Sequence, residues 1–210
     1  MSQDDTRRPI AARNTGWARR LSMALAASSI TPNQISLLSI VFAAMGAAML
    51  AWVAIPPGLL LAAVCIQLRL VCNLLDGMVA VEGGRGTATG PLYNEFPDRV
   101  ADTLLLVALG HACGRPWLGW LCAVLAVLTA YVRVSGGALG LAQDFRGPMA
   151  KPHRMAVLTA ACVIGALEIW LHGTRWTLLV AAVVIAAGAA ATCLTRSAAI
   201  ARALRARGSA

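Results

Sequence analysis

Six apolar runs, most of them long enough to cross about 30 Å of hydrocarbon, leave this chain few folds other than a membrane helix bundle. They lie at roughly Ile35–Ala54, Pro57–Val81, Asp98–Ala112, Trp117–Leu141, Met155–Leu171 and Trp176–Leu194, the third and fifth being short. Of 210 residues, 59% are hydrophobic and 13% charged, and mean hydropathy is +0.70. A water-soluble domain of this composition would have trouble hiding its apolar residues. The expected fold is all-α and integral to the membrane: six transmembrane helices preceded by an N-terminal interfacial amphipathic helix. The first run starts too late for a cleaved signal peptide, so all six are read as retained. Six cysteines fall mostly inside these runs, with neither CxxC spacing nor histidine partners, and read as small packing residues.

A net charge of +9 invites a nucleic-acid partner, but the basic residues are not gathered on a soluble module. They sort by loop. With the N-terminus inside, Arg7, Arg8, Arg13, Arg19, Arg20, Arg85, Arg146, Lys151, Arg154, Arg196, Arg202, Arg205 and Arg207 are cytoplasmic, and only Arg115 and Arg175 lie outside. That asymmetry obeys the positive-inside rule and places both termini in the cytoplasm, with a bacterial inner membrane as the expected location. The same cations would attract anionic membrane lipids or an anionic substrate.

Residues 1–30 read as a polar tail followed by a helix in the interface, where Trp17, Leu21, Met23 and Leu25 interleave with Arg13, Arg19 and Arg20. Residues 31–210 form the six-helix domain with a short basic C-terminal tail. Thr31 and Pro32 suit the N-cap and first position of the first crossing. Gly83–Gly90 is a loop by composition. Gly136 and Gly140 give a small-xxx-small spacing that permits close helix contact.

Arg69, Asp76, Asp98, Arg99, Asp102, Arg133 and Glu168 sit in or beside segments that otherwise read as membrane-spanning. Each costs about 2.5 to 3.5 kcal/mol at mid-bilayer, so a shared polar interior or a ligand must offset them. Arg69, Asn73, Asp76, Gly77 and Ala80 share one helical face, while Gly90, Asn94, Asp98 and Asp102 step by four along the next helix. The intervening loop is short enough to bring the two stripes together. One reading is structural, pairing Arg69 with Asp76 and Glu95 with Arg99. It leaves unexplained the small residues Gly77 and Ala80, and the stacking of Asp98 beneath Asp102, which needs a cation. The other is a metal site in which two carboxylates and two amides converge, and such hard oxygen ligands suit Mg²⁺ or Mn²⁺. Glu168 is expected to snorkel outward or to meet a second copy of the chain.

Asn73-Leu-Leu-Asp76-Gly77-Met-Val-Ala80-Val81, eight residues, then Gly90-Pro-Leu-Tyr-Asn94-Glu-Phe-Pro-Asp98 resembles the signature of the CDP-alcohol phosphotransferases. The family pattern is DxxDGxxAR, eight or nine residues, then GxxxDxxxD. Spacing matches throughout, but Asn73 and Asn94 replace aspartates and Val81 replaces arginine. The resemblance implies that Asp76, Asp98, Asn73 and Asn94 hold a divalent ion, a single one given the lost charge, and that Asp98 is the base. It also implies that Gly77, Ala80 and Gly90 let the nucleotide approach. Asp102 and Glu95 are candidates to supply the missing charge, and a second register takes Asp98 and Asp102 as the last two motif aspartates.

The implied enzyme is a transferase of phospholipid biosynthesis. It moves a phosphatidyl or substituted phosphate group from a CDP-linked lipid donor to an alcohol acceptor, releases CMP, and works as a homodimer. Arg133, Lys151 and Arg154 are candidate phosphate contacts, and Arg69 is a further candidate on the polar face. Two alternatives stay open: a catalytically altered relative that binds nucleotide or lipid without turnover, and a six-helix transporter.

Overall fold

Seven helices account for most of the computed structural model, which describes residues 15–53 and 55–208. They are α1 (Gly16–Ala26), α2 (Pro32–Trp52), α3 (Pro56–Val81), α4 (Gly90–Ala112), α5 (Pro116–Ala138), α6 (Lys151–His172) and α7 (Trp176–Gly208), with no strand among the described residues. The polar tail and the first turn expected of the interfacial helix lie outside the described residues. Proline stands in the first two positions of α2 through α6. There its missing N–H costs nothing and its fixed φ favours helix entry. Thr31 caps α2 as expected, and Gln34 completes a reciprocal capping box.

Five helices, α2, α3, α5, α6 and α7, are long and apolar enough to cross a membrane. By length α4 matches them, but its first half carries Glu95, Asp98, Arg99 and Asp102, so composition does not single it out as a sixth crossing. The third apolar run is only the inner part of this longer helix, in which Pro97 is internal. The fifth run likewise extends back to Lys151. The expected C-terminal tail is helix instead, since α7 continues without a break to Gly208.

Packing follows connectivity. α2 lies against both α3 and α4, α5 bridges α4 and α7, and α6 joins α3 to α7. α1 rests on α3, burying Ala18 and Ser22 and leaving Trp17 and Leu21 exposed one turn apart, as an interfacial helix requires. Arg85, in the loop between α3 and α4, donates to the carbonyls of Ser28 (2.7 Å) and Ile30 (3.0 Å), which pins that loop to the start of the bundle.

Gly136 faces Ile200 of α7, where an added Cβ would stand 3.1 Å from its Cδ1, and Gly140 lies beyond α5 at φ +75°. Gly136 thus makes the close helix contact that its spacing permits, against α7 of the same chain, while Gly140 lies past the helix end. Glu168 is held within the chain: it accepts from the backbone of Trp176 (2.7 Å) and Thr177 (2.8 Å) and from the Thr174 hydroxyl, capping the start of α7.

Glycines let α4 and α5 approach closely. A Cβ on Gly110 would meet the Gly119 Cα at 2.5 Å, and one on Gly119 would meet the Leu106 carbonyl oxygen at 2.8 Å. Gly119→Ala should therefore destabilise the bundle by about 1–3 kcal/mol, the usual cost of overpacking, read as a lower midpoint of thermal unfolding in micelles.

Candidate active site

Antiparallel connections bring six helix ends together: the starts of α2, α4 and α6 meet the ends of α3, α5 and α7. Among the described residues the buried arginines and aspartates lie between these helix ends and the midpoints of α3 and α4. They are Arg69, Asp76, Asp102, Arg133, Arg154 and Arg196.

At the centre, Asp102 of α4 is 1% exposed. One of its oxygens accepts from Arg69 of α3 at 2.6 Å, the other from Arg154 of α6 at 2.9 Å. Arg154 also donates to the Met149 carbonyl (2.9 Å) and the Thr129 hydroxyl (3.3 Å). Arg69 reaches Asp98 as well, at 3.4 Å. The expected Arg69–Asp76 pair does not form: within one helix the two share a face, but the guanidinium points across to α4. Asp76 instead accepts from Ser36 of α2 (2.6 Å) and from the backbone N–H of Gly77 (2.6 Å). Glu95 does pair with Arg99 at 3.7 Å, and Arg133 of α5 joins them.

Asp98 sits one turn nearer the surface than Asp102. Its Oδ1 accepts from Asn73 (2.6 Å) and pairs with the Lys151 ammonium and Arg69, while its Oδ2 has only Arg99 at 3.7 Å. Asn94, a further turn out, is exposed and makes no hydrogen bond to the cluster. Gly77 and Ala80 are half-buried on α3, and Gly90 is the first residue of α4. The structure thus gathers Arg69, Asn73, Asp98, Asp102, Lys151 and Arg154 by direct contact. Asp76 is held at the adjacent α2–α3 contact.

Among the described residues no group of three or more His, Cys, Asp and Glu could hold a metal ion. A divalent ion held by the motif residues would draw on Asp76 and Asp98 with the amide oxygens of Asn73 and Asn94, hard donors of the kind such a cation takes. The cation demanded by the stacking of Asp98 and Asp102 is already present, because Arg69 bridges both.

Beside this cluster a cavity of about 260 Å³ is lined by Asp144, Arg146, Gly147, Pro148, Thr195, Arg196, Ala199 and Arg202. Arg196 is fixed by the carbonyls of Arg146 (2.8 Å) and Thr129 (2.7 Å). Hydrogen bonds from Arg146 hold the Asp144 carboxyl below the usual carboxylate range. Ser36, Asp144 and Arg196 are residues that sequence reasoning missed as site components. Arg196 was visible only as one cation among many in the positive-inside count.

Asp102 is a buried anchor bonded through both oxygens, whereas Asp98 is partly exposed and keeps one oxygen nearly free. Asp102→Asn should lose about 3–5 kcal/mol of stability by leaving buried arginines short of charge. Asp98→Asn, partly solvated, should melt close to the parent chain. Equal losses of Tm in the two variants would refute the division.

No family model matches the sequence. The chain is similar to the phosphatidylinositol phosphate synthases of Mycobacteroides abscessus (26% identical over 178 residues, 80% of this chain and 79% of the relative) and Mycolicibacterium smegmatis (27% over 180 residues, 80% and 79%). It is also similar to the archaetidylinositol phosphate synthase of Aeropyrum pernix, 32% identical over 133 residues, 63% of this chain and 66% of the relative. Among solved structures, the phosphatidylinositol phosphate synthase of Mycobacterium tuberculosis in complex with manganese and citrate superposes with a TM-score of 0.73 at 20% identity, covering 87% of this chain and 88% of that one. The same enzyme with CDP-DAG bound gives 0.71 at 19% identity, with coverage of 87% and 92%. At such identity the solved structures establish the fold. Together with the relatives and the spacing of the Asn73–Asp98 motif, they show that the chain belongs to the CDP-alcohol phosphotransferase family.

Proposed function

We propose that this chain transfers a phosphatidyl or related substituted phosphate group from a CDP-linked lipid to a phosphate-bearing alcohol, with release of CMP, as a step of phospholipid synthesis. The observation that carries the reading is the environment of Asp98: one carboxylate oxygen is held by three donors and the other is nearly free, at the same end of the bundle as an arginine-lined cavity. The relatives' names point to inositol phosphate as the acceptor, and the M. tuberculosis enzyme with CDP-DAG bound points to a diacylglycerol donor.

Asn73, Lys151 and Arg69 fix Asp98 through Oδ1, so Oδ2 is the oxygen that takes the proton of the acceptor hydroxyl. The acceptor oxygen then forms a bond to the β-phosphorus of the donor, the bond from that phosphorus to the bridging oxygen breaks, and CMP departs with the electron pair. Arg146, Arg196 and Arg202 face the acceptor's phosphate in the cavity. Gly77, Ala80 and Gly90 offer small side chains along the nucleotide path. Mg²⁺ or Mn²⁺, when bound at Asp76, Asp98, Asn73 and Asn94, supplies charge neutralisation for the diphosphate oxygens.

Residues 31–210 carry the activity in this reading, and α1, within the N-terminal segment 1–30, lies in the interface beside it. The protein lies in a bacterial inner membrane as a homodimer with both termini cytoplasmic, as the family resemblance and the loop charges support.

Purified chain supplied with CDP-diacylglycerol, inositol phosphate and Mn²⁺ should release CMP. Asp98→Asn should cut the rate by about 10²- to 10⁴-fold, the usual contribution of a positioned base. Arg202→Ala should raise the acceptor KM about tenfold with kcat nearly unchanged, the loss of one charged hydrogen bond. No CMP from any alcohol would leave the catalytically altered reading in its place.

A further inference from the structure

Asp98 and Asp102 stand against Arg69, Lys151 and Arg154, with Arg99 3.7 Å from Asp98 and Asp76 held at the adjacent α2–α3 contact, so these carboxylates are already matched by cations before any metal ion enters. The cations differ in how firmly they are held. Arg69 is fully buried and spans Asp98 and Asp102, and Arg154 is 1% exposed with three acceptors. Lys151 is the first residue of α6, its side chain is 16% exposed, and its one ionic partner is Asp98, itself 13% exposed. A compact ammonium on a flexible four-carbon stem is the member of this set that can move without breaking the fold.

We propose that Lys151 is a resident cation that competes with the divalent ion for Asp98, so that its charge sets the affinity of the metal site. The inference rests on the reading of Asp76 and Asp98 as metal ligands. An arriving ion must displace the ammonium from Oδ1, or share the carboxylate with a like charge at contact distance, and either lowers its affinity. Asn73 and Asn94 weaken the site further by supplying neutral oxygens where charged ones would attract the ion. Once displaced, the lysine stays at the same end of the bundle as the cavity arginines.

The test is Mn²⁺ binding to the full chain in micelles, followed by electron paramagnetic resonance without substrate. Lys151→Gln is expected to bind Mn²⁺ at least about tenfold more tightly than the parent chain, since one unit of opposing charge is gone. Lys151→Arg keeps the charge and is expected to stay weak, which separates charge from any local unfolding at the start of α6. Asp98→Asn is expected to lose binding in either background. If Lys151→Gln binds no more tightly while binding still depends on Asp98, the lysine is no competitor and the inference is overturned with the metal reading intact. If Mn²⁺ binding is indifferent to both Asp76→Asn and Asp98→Asn, the metal reading fails and takes this inference with it.

Discussion

The ion triad of Arg69, Asp102 and Arg154 holds the functional end of the bundle together. A charge taken from water into a low-dielectric interior costs several kcal/mol, and only close partners with further hydrogen bonds offset it. Here the partners come from α3, α4 and α6, three helices whose apolar faces alone would allow some sliding. Arg154 extends the network to Thr129 of α5 and Met149 in the loop before α6. Four elements are thereby fixed in register at the depth where the motif residues must meet.

This anchoring explains why two aspartates one turn apart on α4 behave differently. Asp102 faces the interior and is saturated on both oxygens, whereas Asp98 lies nearer the rim and keeps one oxygen almost unbonded. Its partial exposure and its nearly free oxygen are what the reading of Asp98 as the base rests on. The inner aspartate and its arginines form a rigid floor beneath it. Replacement of two motif aspartates by Asn73 and Asn94 sits in the same electrostatic frame: with Lys151 against Asp98, a site carrying four carboxylates is not needed to balance the cations present.

Much of the fold was legible because it follows from local rules. Apolar runs of the right length, prolines at helix starts and the Thr31 cap each express a constraint within a few residues of the chain. The limits of α4, α6 and α7 were harder, since polar residues at their functional ends interrupt the hydropathy signal without interrupting the helix. The motif itself was legible through spacing, which survives the loss of two aspartates and one arginine. Partner choice was not. Arg69 and Asp76 share a helical face, but side-chain reach across to α4 gives Arg69 two carboxylates in place of one. Arg85 looked like one more loop cation, while its role as a clamp on Ser28 and Ile30 depends on where α1 and α2 end. Gly136 offered a contact spacing with no indication that the contacting helix is α7 of the same chain.

Read alone, the sequence determined the class, the helical segments, the family motif and the concentration of charge beside the apolar runs, because hydropathy, capping and spacing act along the chain. Tertiary structure alone decided which charges neutralise which, that Asp102 is floor and Asp98 rim, that Lys151 reaches Asp98, and that Arg196 joins a cavity. Those outcomes depend on distances between residues tens of positions apart, and in a low-dielectric interior a few ångströms decide whether a charge is paired, exposed or excluded.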